Sequence, residues 1–251
     1  MYYNPTGSGS FNVLINASDL GSGINRVSFP PAGASWTPTV ASDDTTAPSP
    51  YEYTYTFSTP AGASPGLLNT TAYDNAGKSA NASFTLTKDT TPPAGGSITY
   101  SSTITNVTSV ALTLSPGSDA QAGLGTETIE RSVATYANGS CGTYGAFGTL
   151  TINAGASYVD TNVIDGFCYM YRFTVKDNVD NSVTYTNAGE VKVDTSRPTG
   201  TISANPAGPV SGTATITGTS TDSVSGVQKV DVHYASCLLY TSDAADDTPC
   251  V

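Results

Sequence analysis

Asp89-Thr90-Thr91-Pro92-Pro93 decides how this chain is read, and it returns as Asp194-Thr195-Ser196-Arg197-Pro198, 105 positions later. Proline fixes its own φ and carries no N–H, and it pushes the residue before it into an extended conformation. Such a run is a short, stiff connector that continues neither a sheet ladder nor a helix. The aspartate at its head can bond the backbone just beyond and close the preceding strand. The two connectors cut the chain into one unit before, one between and a partial one after.

Two further motifs keep the same beat. Asp19-Leu20-Gly21-Ser22-Gly23-Ile24, Asp119-Ala120-Gln121-Ala122-Gly123-Leu124 and Asp222-Ser223-Val224-Ser225-Gly226-Val227 share the form Asp-x-x-Ser/Ala-Gly-aliphatic. Each precedes an alternating stretch, at 24–29, 127–133 and 227–234. The form predicts a strand-to-strand corner: Asp caps the turn, Gly takes φ > 0, and the aliphatic residue starts the next strand. Asp74-Asn75-Ala76-Gly77-Lys78-Ser79 and Asp177-Asn178-Val179-Asp180-Asn181-Ser182 predict hairpins, because their turn residues tolerate left-handed backbone. Period-2 alternation predicts further strands over 10–16, 51–57, 68–73 and 83–87. In the middle unit it predicts them over 97–100, 107–114, 149–152, 167–176 and 183–193. Trp36, among prolines, reads as a packing residue, and 42–50 as a polar loop. About seven short strands in about 100 residues suit an antiparallel sandwich that buries roughly 65% of its unfolded surface and folds alone.

Composition narrows the class. Charged residues are 12% of the 251, so Thr, Ser, Asn and Gly must supply the polar surface. No 3.6-residue apolar period of helical length is present. A net charge of −11 with nine Lys and Arg disfavours nucleic acid and anionic membrane as partners. No apolar run approaches the roughly 18 residues of a membrane span. Residues 1–5 lack the basic start and apolar core of a signal peptide. The first unit reads as incomplete at its start, so that lack carries no information about compartment.

Cys141 and Cys168 lie in the middle unit, without the close Cys or His neighbours that a zinc site needs. A disulfide is the favoured reading and argues for an oxidising compartment, with two buried free thiols as the alternative. The run from Cys237 to Asp247 resembles the translation of a transposon-derived sequencing adapter. That resemblance implies a native sequence ending near Ser236, a third unit cut short, and a non-native tail that includes Cys237 and Cys250.

The joints, the three Asp-to-Gly corners, Asp74-Asn75-Ala76-Gly77 and the strand Cys168-Tyr169-Met170-Tyr171-Arg172-Phe173-Thr174-Val175 together resemble tandem bacterial immunoglobulin-like repeats with fibronectin type III-like features. The resemblance covers residues 1 to about 236. It implies an all-β chain of tandem antiparallel sandwiches like beads on a string: 1–88, 94–194 and a partial repeat over 199–236. It also implies that Tyr171 is the corner tyrosine. Repeats of this kind serve as stalks, spacers and ligand-presenting segments of secreted and surface proteins, so the expected location is extracellular or cell-surface.

No catalytic constellation is visible. His233 is the only histidine, and no Gly-x-Ser-x-Gly elbow, phosphate loop or His-Glu-x-x-His occurs. The expectation is a non-enzyme, monomeric as a fragment and without a cofactor. Its partner would be an unidentified surface ligand or a polysaccharide. Asp19 and Asp74, like Asp119 and Asp177, stand at strand-to-turn junctions and are weak calcium candidates, since calcium takes six to eight oxygens. The simpler reading is that each caps its own turn. The rival function is an accessory carbohydrate-binding module of a secreted glycoside hydrolase, marked by an exposed coplanar row of Trp36 with Tyr51, Tyr53 or Tyr55.

Overall fold

The computed structural model describes residues 1–46, 48–59, 62, 64–101, 103–204 and 212–233. Among them no residue is helical, and the strands fall into three groups that share no sheet.

The first group holds β1 (Tyr2–Tyr3), β2 (Gly9–Ile15), β3 (Ile24–Phe29), β4 (Trp36–Thr37), β5 (Ser42–Asp44), β6 (Tyr51–Phe57), β7 (Gly66–Asp74) and β8 (Ser79–Lys88). One sheet has the order β1-β8-β7-β3-β5 and the facing one β2-β6-β4. The second group holds β9 (Ser97–Thr99), β10 (Ile104–Thr105), β11 (Val110–Ser115), β12 (Leu124–Ala137), β13 (Ser140–Cys141), β14 (Gly148–Ile152), β15 (Ser157–Asp160), β16 (Phe167–Asp177), β17 (Ser182–Thr186) and β18 (Val191–Val193). Its large sheet runs β10-β18-β16-β12-β13, with β14 on β12 and β17 on β16, and the facing sheet runs β15-β11-β9. The third group is β19 (Thr199–Ala204) paired with β20 (Thr217–Thr221).

Period-2 alternation explains the layers. In β11, Val110, Leu112 and Leu114 turn inward while Ala111, Thr113 and Ser115 face out. In β16, Tyr169, Tyr171, Phe173 and Val175 all point into the core. Two large interiors result. Val27, Phe29, Trp36, Tyr55 and Leu86 centre the first, and Ile98, Leu112, Ile129, Tyr171 and Phe173 the second. No residue of one cluster comes from the other strand group. Each such side chain contributes about 1.5–3 kcal/mol by leaving water.

The expected glycine roles hold. Gly23, Gly123 and Gly226 carry φ of 76°, 74° and 84°, and Gly77 carries 79°. Asp180, where the first unit has Gly77, is also left-handed at 69°.

Four expectations change. Residues 183–193 are not one strand: β17 lies on the upper half of β16 and β18 on its lower half. The jog between them is tied to Tyr100, whose hydroxyl donates to the Gly189 carbonyl at 2.6 Å. The polar loop 42–50 contains β5, which extends the β3 edge. Residues 227–233 form no strand: 230–233 line one groove with β19 and β20 without pairing to either. The corner tyrosine is Tyr169 rather than Tyr171: the Ile164 N–H donates to the Tyr169 hydroxyl at 2.9 Å. Tyr171 lies deeper on the same face and donates to the Asp160 carboxylate at 3.0 Å. Trp36 is a packing residue, 3% exposed and edge-on to Tyr3. The end of the predicted 227–234 strand at Tyr234, and the tail 237–251 with Cys237 and Cys250, lie outside the described residues.

Candidate functional site: the aspartate joints

Each sandwich gathers its two aspartate-led turns at one end. The Asn75 side chain donates to the Ser22 carbonyl at 2.8 Å, and Asn178 repeats this with the Ala122 carbonyl at 2.7 Å. Within each turn the aspartate satisfies N–H groups that would otherwise be stranded. Asp19 Oδ1 accepts from Gly21, Ser22 and Gly23, and Asp74 Oδ1 from Ala76 and Lys78. Asp119 Oδ1 accepts from Gln121 and Gly123, and Asp177 Oδ1 from Val179 and Asn181. Backbone donation, first from Ser22 and then from Gly23, holds the Asp19 carboxyl below the usual carboxylate range.

The joint aspartate enters this end of the following sandwich. Asp89 is fully buried. Its Oδ1 accepts from Thr91 N at 2.9 Å, closing the joint on itself. Its Oδ2 accepts from Ala122 N at 2.9 Å, gripping the next unit's turn. Its own N–H donates back to the Tyr3 carbonyl at 2.8 Å. Asn181 binds the assembly from three sides: it donates to the Asp89 carbonyl and to Asp177 Oδ2, and accepts from Asn4. The second joint repeats the clamp. Asp194 Oδ1 accepts from Ser196 N at 3.0 Å and Oδ2 from Ser225 N at 3.1 Å. There Asp165 adds a second grip, accepting from the Ser196 hydroxyl at 2.6 Å and the Thr195 N–H at 2.6 Å. These bonds, the Ser196 hydroxyl foremost, hold the Asp165 carboxyl below its ordinary range.

The disulfide Cys141–Cys168 sits beside the second joint. It ties β13 to β16, and the hairpin tip before β13 reaches the third group. Asn138 N donates to the Ser223 carbonyl and Gly139 N to that of Val224. Val224 packs on Ala134, Tyr136 and Cys168.

Of the four calcium candidates, Asp119 and Asp177 come together, and Asp89 joins them: one carboxylate oxygen from each lies within 4.8 Å of the others. None of the three is in an ion pair among the described residues. Their carboxylate oxygens are of the hard kind that calcium takes, and would cover three of the six to eight ligands such an ion needs. Asp19 and Asp74 line one groove of the first sandwich without a joint aspartate between them. The sequence marks Asp89 as a cap but gives no sign that it completes this cluster, since the contact depends on how two units dock. Asp160 is also invisible in sequence: fully buried, it accepts from Arg131 at 2.7 Å, Tyr171 and Asn162 N. His233 is exposed. The row of Trp36, Tyr51, Tyr53 and Tyr55 is turned inward, with Tyr51 3% and Tyr55 0% exposed.

No protein-family model matches the chain, and no curated protein matches it. Solved structures do. The chain is similar to fibronectin(III)-like modules of Clostridium thermocellum CbhA, at 15% identity over 77% of this chain and 87% of that one, TM-score 0.34. It is similar to domains from titin at 14% identity over 76% of this chain and 59% of that one, TM-score 0.37. A Bacteroides ovatus protein of a mixed-linkage glucan utilization locus, solved with a mixed-linkage heptasaccharide, matches at 14% identity over 79% of this chain and 44% of that one, TM-score 0.20. The chain's own strand pairing carries the fold: tandem antiparallel β-sandwiches of the immunoglobulin-like and fibronectin III-like kind.

Proposed function

We propose that the chain is a structural spacer from an extracellular or cell-surface protein, a run of sandwiches that holds another segment at a distance and resists bending at its joints. The single observation behind this is the repeated clamp: in both joints the aspartate caps its own connector with one oxygen and grips the next unit's turn with the other. A connector held on both sides transmits force instead of swinging. The disulfide adds support for an oxidising compartment. The inward-facing aromatic row removes the marker expected of a sugar-binding surface. A calcium-type cation belongs to this reading as a joint ligand, neutralising Asp89, Asp119 and Asp177.

Pulling the chain from its ends in a force microscope tests the reading. The spacer predicts separate rupture events, with residues 94–194 releasing about 35 nm of chain at about 3.5 Å per residue. Under oxidising conditions that event shortens by about 9 nm, because the disulfide locks a loop of 27 residues. One rupture releasing both units together would defeat it, and retention of the chain on mixed-linkage glucan or cellulose would favour the rival.

A further inference from the structure

The second joint has a fastener that the first lacks. β12 pairs with β16 as far as Thr135 opposite Phe167, then runs on past that strand to Ala137. It turns back through Asn138 and Gly139, with φ of 49° and 75°, the two-residue loop that suits a tight hairpin. β13 returns against it for two pairs, Tyr136 with Cys141 and Ala137 with Ser140. The tip of this overhang meets the Asp222 turn of the third group. Asn138 N donates to the Ser223 carbonyl at 3.1 Å, and Gly139 N to that of Val224 at 2.9 Å. Among the described residues no backbone bond links the first group to the second in this way.

A hairpin of two pairs is marginal in water by itself. Tyr136 N–H bonds the Gly166 carbonyl at 2.7 Å and anchors only the base of the overhang. The buried Tyr136 hydroxyl finds no hydrogen-bond partner among the described residues, so it adds no polar anchor. Just beyond Cys141, Gly142 N–H returns to β12 itself, at the Thr135 carbonyl. The covalent tie from the hairpin across to β16 is Cys141–Cys168. Cys168 also forms, with Ala134 and Tyr136, the apolar seat on which Val224 packs. One bond therefore fixes the hairpin tip and lies under the residue that the tip grips.

We propose that Cys141–Cys168 is a redox latch on the second joint. Oxidised, it presents the hairpin tip and the Val224 seat together and holds the third group in line. Reduced, it frees the tip and lets that group swing. The proposal rests on the spacer reading and adds a control to one of its joints. The reductant is a dithiol. Its thiolate attacks the Cys141 sulfur, because Cys141 is half-buried and Cys168 fully buried, and the S–S electron pair leaves with Cys168. Lys192 stands opposite Cys168 on the same face of the sheet, a cation beside the leaving thiolate, although it also pairs with Glu190 at 3.1 Å. The second thiol of the reductant then displaces Cys141. Two electrons and two protons pass to the protein, which gains two thiols, and the reductant departs as a disulfide.

The test uses the full chain with Cys237→Ser and Cys250→Ser, so that Cys141 and Cys168 are its only cysteines. Amide exchange and ¹⁵N relaxation are measured on the oxidised chain and after dithiothreitol. On reduction, exchange at Asn138 and Gly139 is expected to speed up about tenfold, the scale of one half-buried valine losing its contacts. The amides of β19 and β20 stop sharing the tumbling of β16, while residues 1–88 go on sharing it. Val224→Ser in the oxidised chain is expected to release β19 and β20 in the same way, and reducing that variant adds less than about twofold, because both changes remove one contact. The proposal is overturned if β19 and β20 keep the tumbling of β16 after reduction, or if the two changes multiply as independent ones do. It is also overturned if reduction unfolds residues 94–194, for then the disulfide is a staple of the sandwich and not of the joint. Loose tumbling at the second joint alone in the oxidised chain overturns the latch and leaves the spacer standing. Loose tumbling at both joints overturns the two together.

Discussion

Replacing Asp89 by alanine strips the first joint of its clamp. Two N–H groups lose their acceptor: Thr91, which water reaches, and Ala122, which is half-buried. A stranded donor costs about 1–3 kcal/mol, and more when the lost acceptor was charged, so the clamp amounts to about 2–4 kcal/mol. For a unit of about 100 residues that is a fall of about 10–20 °C in the thermal midpoint of residues 94–194. An opposing effect has to be separated. Three carboxylates within 4.8 Å repel by about 3.5 kcal/mol or more per pair at an effective dielectric of 20, and removing one relieves two such pairs. Calorimetry in 5 mM calcium and in chelator, on the parent, Asp89→Ala and Asp89→Asn, distinguishes the two. The full loss is expected in calcium, and no loss, or a gain, in chelator. Asp44→Ala is the control, since Asp44 also accepts two backbone N–H bonds, from Thr46 and Glu52, in an exposed setting. Its expected cost is about 1 kcal/mol. The reasoning is refuted if Asp89→Ala lowers the midpoint by less than about 3 °C in calcium, or by no more than Asp44→Ala does.

Calcium at millimolar concentration is expected to raise the parent's midpoint, since saturation 100-fold above the dissociation constant adds about 2.7 kcal/mol; no shift in calorimetry leaves the aspartates as caps alone. Reducing Cys141–Cys168 opens a loop of 27 residues and is expected to cost about 3.5 kcal/mol, read by denaturant unfolding with and without reductant. Tyr171→Phe removes one donor to the buried Asp160 while Arg131 and Asn162 N remain, an expected loss of about 1.5–3 kcal/mol in urea unfolding. The bonded Arg172 guanidinium keeps the Glu130 carboxyl below its usual value of 4.5. Because the folded value is the depressed one, the stability this pair adds is complete above about pH 4.5 and is lost as pH falls through the lower folded value. Unfolding measured from pH 5.5 down to pH 3 is expected to show that loss, and Glu130→Gln to flatten it.

Much of the fold is legible in the chain, because local chemistry determines it. Residues 24–29 and 51–57 alternate so strictly that both strands fall where the pattern predicts. Gly77 and its counterpart Asp180 are left-handed because a tight turn leaves no other choice. What escapes the sequence depends on contacts between distant segments. The break between β17 and β18 follows from Tyr100 reaching Gly189, 89 residues away. The corner role passes to Tyr169 because it lies nearer the 161–166 turn than Tyr171 does, and both fit the alternation equally well. The candidate site shows the same division. Asp119 and Asp177 are recognisable as turn caps from their neighbours, whereas Asp89 reads as the end of one unit and acts inside the next. Residues 227–233 carry the alternation of a strand without forming one, since alternation gives a strand its faces but not its partner.

The most direct test of separate sandwiches locked end to end is backbone ¹⁵N relaxation on the full chain, comparing residues 1–88 with 94–194. A held joint predicts one shared, elongated tumbling for the two groups, and Asp89→Ala should release them to tumble apart without unfolding either. Independent tumbling in the parent chain, or a parent in which Asp89→Ala changes neither correlation time, would contradict the clamp.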